Sequence, residues 1–352
     1  MVDRNFLITP TDISVTFSVA PALNALYSIK LLRGADYVSG LANWVYETIA
    51  QLTAEELLTH DAVVEMLFDG LLVPGLAQLP DFDTYLEQLA KTDSQQLRDA
   101  AMSWMRKIDD YPGDEALLAS FEVFQNVIKE HFAHKGPEHE PDEALLQRVH
   151  SLLQAPSDMH EAMVRHLAML WEVYLKDEWE RVKGLLEASV RAFEQVDLSG
   201  LTAPEIVQYV TGRDVSNMDI TAKISDVQHL LFVPSQHIGP YIGWMPSDKP
   251  DMMYIIYTAR VPKGTQSQNT ALDRSQLLIR MNALADETRL RMLELLTEHN
   301  ELCAQDFINM LELSQSSASR HLRQLTATGF VKERRRDVAK CYSLNRERIQ
   351  DL

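Results

Sequence analysis

Residues 314–330, Ser-Gln-Ser-Ser-Ala-Ser-Arg-His-Leu-Arg-Gln-Leu-Thr-Ala-Thr-Gly-Phe, place short polar and cationic side chains at the spacing of one helix face. Gln315, Ser316, Ser319, Arg320 and Arg323 fall on that face, with Ser317 beside them in the first turn. Amide, hydroxyl and guanidinium groups so arranged suit hydrogen bonding to base edges and phosphates in a DNA major groove, and an arginine can contact guanine through two parallel bonds. Such a face needs a rigid support. The sequence supplies Ser314 as an N-cap, Gly329 as a left-handed C-cap, and Ala318, Leu322 and Leu325 on the opposite, inward face.

The next residues extend the basic surface. Val331–Arg334 reads as a strand, 335–337 as a turn, and Val338–Leu344 as a returning strand. Arg334, Arg335, Arg336 and Lys340 then sit on a wing whose tip lies along the nucleic-acid backbone. Upstream, Asp286 caps a helix through Thr288–Glu298 with Leu290, Leu293 and Leu296 inward. Cys303–Leu311 forms a short helix carrying Phe307, Met310 and Leu311, and 311–313 turn the chain into the recognition helix. The unit is a helix-turn-helix with a wing.

On ALADETRLRMLELL at 283–296, LSQSSASRHLRQLTATGFVKERR at 313–335 and AKCYSLN at 339–345, the chain resembles the ArsR family of bacterial transcriptional regulators. The resemblance covers roughly residues 275–350. It implies a winged-helix homodimer that binds double-stranded DNA, represses transcription and lets go when it senses something. Two departures stand out. Many metal-sensing members carry Cys-x-Cys at the start of the first helix of the helix-turn-helix, whereas here Gln305 follows Cys303 at that spacing. A soft metal ion needs two to four converging thiolates or imidazoles, so no metal or other cofactor is expected, and Cys303 and Cys341 read as two half-buried thiols. The sequence also stops at Leu352, short of the C-terminal helix that many members use to dimerise, so residues upstream of the wing must supply the dimer contact.

Charge divides the chain in the same place. The formal net charge is -18, but residues 1–276 carry -19 and 277–352 carry +1. Within 314–348 nine basic residues stand against three acidic ones. Phosphate repels most of the molecule and attracts this segment, which orients the approach. Two cysteines in 352 residues argue against a disulfide framework and suit a reducing cytoplasm. No signal peptide or membrane-length apolar run is present, so a cytoplasmic protein without a membrane partner is expected.

The fold class implied is mainly α with small β elements: an acidic helical N-terminal domain with a short antiparallel sheet, then the winged helix. Residues 1–200 form a mainly helical regulatory domain after a strand within Asn5–Val15. Thr53 with Glu56 makes a capping box, Asp81 and Ser94 precede periodic stretches, and Pro156-Ser157 heads a long helix from Asp158 to about Glu194. Its stripe is Met163, Leu167, Leu170, Trp171, Tyr174, Leu175, Val182, Leu186 and Phe193, with Gly184 able to bend it. Residues 201–260 complete the regulatory region. Thr202–Glu205 caps a helix ending at Gly212, and His229–Val233, Tyr241–Met245 and Met252–Ala259, punctuated by prolines, form antiparallel strands. Residues 261–273 serve as linker and 274–352 as the DNA-binding domain. Ile8–Asp12 and the Val233-Pro234-Ser235…Gly239-Pro240-Tyr241 segment resemble an uncharacterised domain found ahead of the winged helix in some ArsR-family regulators; that resemblance implies a regulatory role.

Other chemistries find little footing. There is no Gly-rich phosphate loop, Gly-x-Ser-x-Gly elbow or His-Glu-x-x-His helix, so an enzyme is not expected. His131, His134 and His139, with Glu138 or Glu140, offer divalent-metal ligands, although an exposed polar connection is the simpler account of them. Trp44, Tyr46, Trp171, Tyr174 and Trp179 either line a small-molecule pocket or form core. Three readings remain: a DNA-binding regulator answering to a small-molecule effector or another protein through its upstream region, a protein-interaction module using the winged helix, and an enzyme in residues 1–260.

Overall fold

In the computed structural model, two uninterrupted apolar runs, His229–Ser235 and Met252–Thr258, lie side by side at the centre of a sheet. The structure describes residues 13–35, 37–133, 141–215, 218, 220–225, 227–262, 270–336 and 339–350. The Ile8–Asp12 motif, His134, His139, Glu138 and Glu140, linker residues 263–269, Asp337 of the expected turn and Val338 of the expected returning strand lie outside them. The chain divides into two units, one of Met1–Val19, Tyr37–Ala42 and Val182–Leu352, the other of Ala20–Asp36 and Asn43–Arg181.

The first unit opens with β1 (Ser14–Phe17), which pairs in parallel with β2 (His229–Ser235). β3 (Gly243–Pro246) pairs antiparallel with β4 (Met252–Thr258), β4 runs parallel to β2, and the order is β1-β2-β4-β3. The sheet is therefore mixed, where the proline punctuation suggests an antiparallel one. β2 and β4 are buried along almost their whole length. Strands covered on both faces show continuous apolar runs, the mark of parallel pairing, while half-exposed antiparallel strands alternate. The helix Ala203–Thr211 covers this sheet, set by the expected capping box and ending at Gly212 with φ 71°. Its Ile206, Val207 and Val210 share a core with Phe193, Phe232, Ile255 and Tyr257.

The second unit is helical. Pro21–Gly34 is buried continuously from Ala22 to Ile29, as an almost wholly apolar helix must be. Thr53 and Glu56 close the expected capping box, and Asp81 caps Phe82–Lys91. Asp93, rather than Ser94, caps the following helix, because a carboxylate oxygen at 93 reaches the amides of Gln95 and Gln96. The long helix starts at Pro156 and ends at Phe193, its residues from Val182 onward belonging to the first unit. A π turn at Trp171–Leu175 interrupts it, not Gly184. Its stripe is buried as the spacing requires, with Tyr174 half-buried. Trp171 and Trp179 are core, Tyr46 is exposed, and the Trp44 indole donates to the Tyr174 carbonyl at 2.9 Å. Trp44, Trp171 and Trp179 act in packing.

Within the first unit, residues 270–350 form the winged helix. A helix, Thr270–Leu284, begins inside the segment expected to be linker. Asp286 caps Glu287–Glu298 by accepting from the Arg289 amide at 2.9 Å. Leu290 is exposed, contrary to its expected inward position, since Arg289, Met292 and Leu296 take the inner face and Leu290 lies one residue, ~100°, around from it. β5 (Leu302–Cys303) precedes the helix Ala304–Leu311, so Cys303 is in a strand; Phe307 is fully buried and Met310 is exposed. β6 (Val331–Arg336) and β7 (Ala339–Leu344) complete a sheet in the order β5-β7-β6.

Candidate nucleic-acid interface

The recognition helix runs Gln315–Thr328. Ser314 accepts from the Ser317 amide at 3.2 Å, and Gly329 closes the helix at φ 81°. Ala318, Leu322 and Leu325 are buried against Phe307, Phe330, Met292 and Tyr342, anchoring the helix on one side. On the other side Gln315, Ser316 and Arg323 are exposed, while Ser317, Ser319 and Arg320 are half-buried.

The wing follows without a break. Arg334 pairs with Cys341, Arg335 with Lys340, and Arg336 with Ala339 across the two strands. Arg335, Arg336 and Lys340 are exposed; Lys340 lies 3.0 Å from Glu333. Arg334 is held by Glu301 through both of its side-chain nitrogen contacts, and that pairing keeps the Glu301 carboxyl below its usual range.

Sequence reasoning missed three features. Arg289 is buried and donates from Nε to the Ala283 carbonyl at 2.5 Å and from Nη2 to the Asn282 carbonyl at 2.8 Å. A cation on the last carbonyls of the preceding helix satisfies groups that have no helical partner. Second, residues 37–42 touch the recognition helix. Arg323 Nη1 donates to the Tyr37 carbonyl at 3.0 Å, and the Ser39 hydroxyl donates to Gln324 Oε1 at 2.6 Å. Gly40, at φ 88°, leaves room for Gln324, whose Nε2 lies 2.6 Å from where a Cβ would stand. No local signal marks partners nearly three hundred residues apart. Third, Cys303 and Cys341 form a disulfide, where two separate thiols were expected. The β5–β7 pairing sets them directly opposite, with Cα atoms 3.8 Å apart, a juxtaposition that their separation of 38 residues conceals.

The family described as "Bacterial regulatory protein, arsR family" matches residues 286–333, which run from the cap Asp286 to β6. An uncharacterized HTH-type transcriptional regulator of Methanocaldococcus jannaschii is 33% identical over 70 residues, 20% of this chain and 79% of that protein. The chain belongs to the arsR family. Among other relatives, a cadmium resistance transcriptional regulatory protein CadC homolog of Staphylococcus aureus is 39% identical over 70 residues, 20% of this chain and 58% of its own length. An arsenic resistance transcriptional regulator of Pseudomonas putida is 44% identical over 64 residues, 18% of this chain and 50% of its own length. The chain thus spans about half the length of these two curated relatives, and the likeness lies in the arsR-family winged helix.

Metal fit can be tested directly in this arsR-family site. Glu301, Cys303 and Cys341 bring three potential ligand atoms within 4.8 Å of one another. Both sulfurs are bonded to each other and Arg334 holds the carboxylate. A soft ion needs thiolates, so the group does not fit one in this bonded form. Gln305 faces Asn309 instead, donating at 3.0 Å. Of the upstream histidines, His131 packs 5.5 Å from the Trp104 ring.

Proposed function

We propose that this protein is a DNA-binding transcriptional repressor that acts as a homodimer on a pseudo-palindromic operator and answers to an effector through its upstream region. One observation carries the reading: a doubly capped helix, 315–328, turns Gln315, Ser316, Arg320 and Arg323 outward beside the cationic strands of the wing. The first residues of such a helix reach base edges, and Arg335, Arg336 and Lys340 neutralise backbone phosphates. Arg323 exchanges the Tyr37 carbonyl for a phosphate when DNA binds. The regulatory names carried by the relatives support this reading, as does the concentration of basic charge in 314–348. The homodimer contact falls on the helix Thr270–Leu284, where Leu277, Leu278 and Met281 expose an apolar face at helical spacing. No described helix is long and apolar enough to cross a membrane. In this reading the protein has no catalytic role.

The test is fluorescence anisotropy of the full chain on its own promoter fragment across a salt series, beside Arg320→Ala. The expected result is affinity that falls linearly with salt on logarithmic axes, and a variant about 1–3 kcal/mol weaker with relaxed base preference. A variant indistinguishable from wild type in affinity and preference would sink the recognition-helix assignment.

A further inference from the structure

Nine arginines and lysines against three carboxylates line a cavity of ≈ 1130 Å³ in the first unit. Its floor is set by the end of the Ala203–Thr211 helix and of β4, and it continues along the recognition helix and the wing. Arg213, Arg260, Arg280 and Arg348, like Lys332 on the wing strand, are cations there that the proposed DNA contact does not use.

Arg260 is the most telling. Its Nε is buried and has no hydrogen-bond partner among the described residues. Burial, followed by repulsion from Arg348 and Arg280, lowers its guanidinium to about 10. Arg213 is also lowered by burial. The local backbone is built to admit Arg260: Gly212, at φ 71°, has the guanidinium 1.7 Å from where a Cβ would stand, so any other residue there collides with it. Ser189 fixes the base of the same residue, accepting from the Arg260 amide at 3.1 Å and donating to its carbonyl at 2.7 Å. A buried guanidinium nitrogen without a hydrogen-bond partner, such as Arg260 Nε, is costly until an acceptor joins it, and the planar fork of arginine matches phosphate oxygens in pairs.

We infer that the cavity beside Arg260, Arg280, Arg348 and Arg213 binds a small phosphate-bearing polyanion, such as a nucleotide or a diphosphorylated metabolite. The volume accommodates a ligand of that size. Ser319, Arg323, Arg334, Arg335 and Lys340 line the same cavity. A bound polyanion draws on the charges that DNA phosphate requires, so ligand and DNA compete and the ligand acts as an inducer. This coupling rests on the repressor reading; the binding site itself does not.

The experiment is isothermal titration calorimetry of the full chain at physiological chloride, with inorganic pyrophosphate and with ATP, followed by the same ligands in the DNA anisotropy assay. Saturable binding of at least one is expected, weakened about tenfold or more by Arg260→Met. Gly212→Ala, which displaces the guanidinium, gives the same loss. Arg320→Ala, outside the cavity lining, leaves anion binding unchanged while weakening DNA. No binding of either probe overturns the site, as does binding that both cavity variants retain in full. Loss of DNA affinity in Arg260→Met without free-anion binding assigns the cavity to the DNA backbone and also overturns it. Arg260-dependent anion binding in a protein that binds no duplex keeps the site and removes the repressor reading instead.

Discussion

Reducing the Cys303–Cys341 bond removes a covalent link around the recognition helix. The bond closes a loop with a sequence separation of 38 residues, which contains the helix Ala304–Leu311, the recognition helix and β6. Chain-entropy reasoning assigns such a loop about 4 kcal/mol, because the unfolded segment regains the freedom the link denied it. The winged helix is one part of a larger chain, so a single unfolding midpoint does not isolate this contribution. Hydrogen exchange with mass spectrometry does. The slowest amides of the winged helix, expected at Leu322 and Leu325, exchange through its complete opening, and about 4 kcal/mol speeds them on the order of a thousandfold after reduction. Alkylation under denaturing conditions establishes the starting state: no thiol labelled before reduction, two after. If alkylation confirms the opened bond and those amides still exchange within a few-fold of their former rate, the loop-entropy argument is wrong. If two thiols are labelled without reductant, the bond is absent in solution. Cys303→Ala with Cys341→Ala should reproduce the reduced protein.

Arg335→Ala should weaken every DNA sequence alike and flatten the salt slope by about one unit, measured by anisotropy on operator and random duplexes. Leu278→Glu with Met281→Glu should shift a dimer to a monomer in light scattering; an unchanged mass would place the interface elsewhere. The buried rings of His60 and His166 meet at 3.1 Å, and burial holds them at about 3 and about 4, below the usual histidine value. Both are neutral when folded, and the unfolded chain takes up their protons first. Stability is therefore full above about pH 6.5 and falls as pH drops below it, by roughly 2 kcal/mol for each histidine at pH 5. Denaturant melts of His60→Gln with His166→Gln should show a flatter profile over that window; an unaltered slope would refute the assignment.

What the sequence discloses depends on the range of the interactions. The recognition helix is legible to the residue because Ser314, Gly329 and the Ala318–Leu322–Leu325 stripe are local signals that agree with one another. The same holds for Asp286 and for the Thr53 and Thr202 capping boxes. The parallel pairing of β2 and β4 is written in their apolar runs, whereas the prolines mark where strands end and not which way they run. The Cys303–Cys341 bond, the Ser39–Gln324 contact and the crowding of Arg260 against Gly212 join distant segments, and nothing in any one segment anticipates them. Arg334 illustrates a subtler limit: its charge suited phosphate, yet Glu301 already holds it.

The parallel partnership of β1 with β2 orders events during synthesis. Ser14 must find His229, and the helices of Ala20–Asp36 and Asn43–Arg181 emerge from the ribosome between them. At about 5–20 residues per second, β1 waits on the order of ten to forty seconds for its neighbour. The helical unit can fold within that interval, since its contacts are already complete, whereas the sheet cannot close until β2 emerges. The winged helix follows later still. A nascent chain stalled before residue 229 therefore carries a folded helical insert and an unpaired strand, a template for mispairing that translation rate controls.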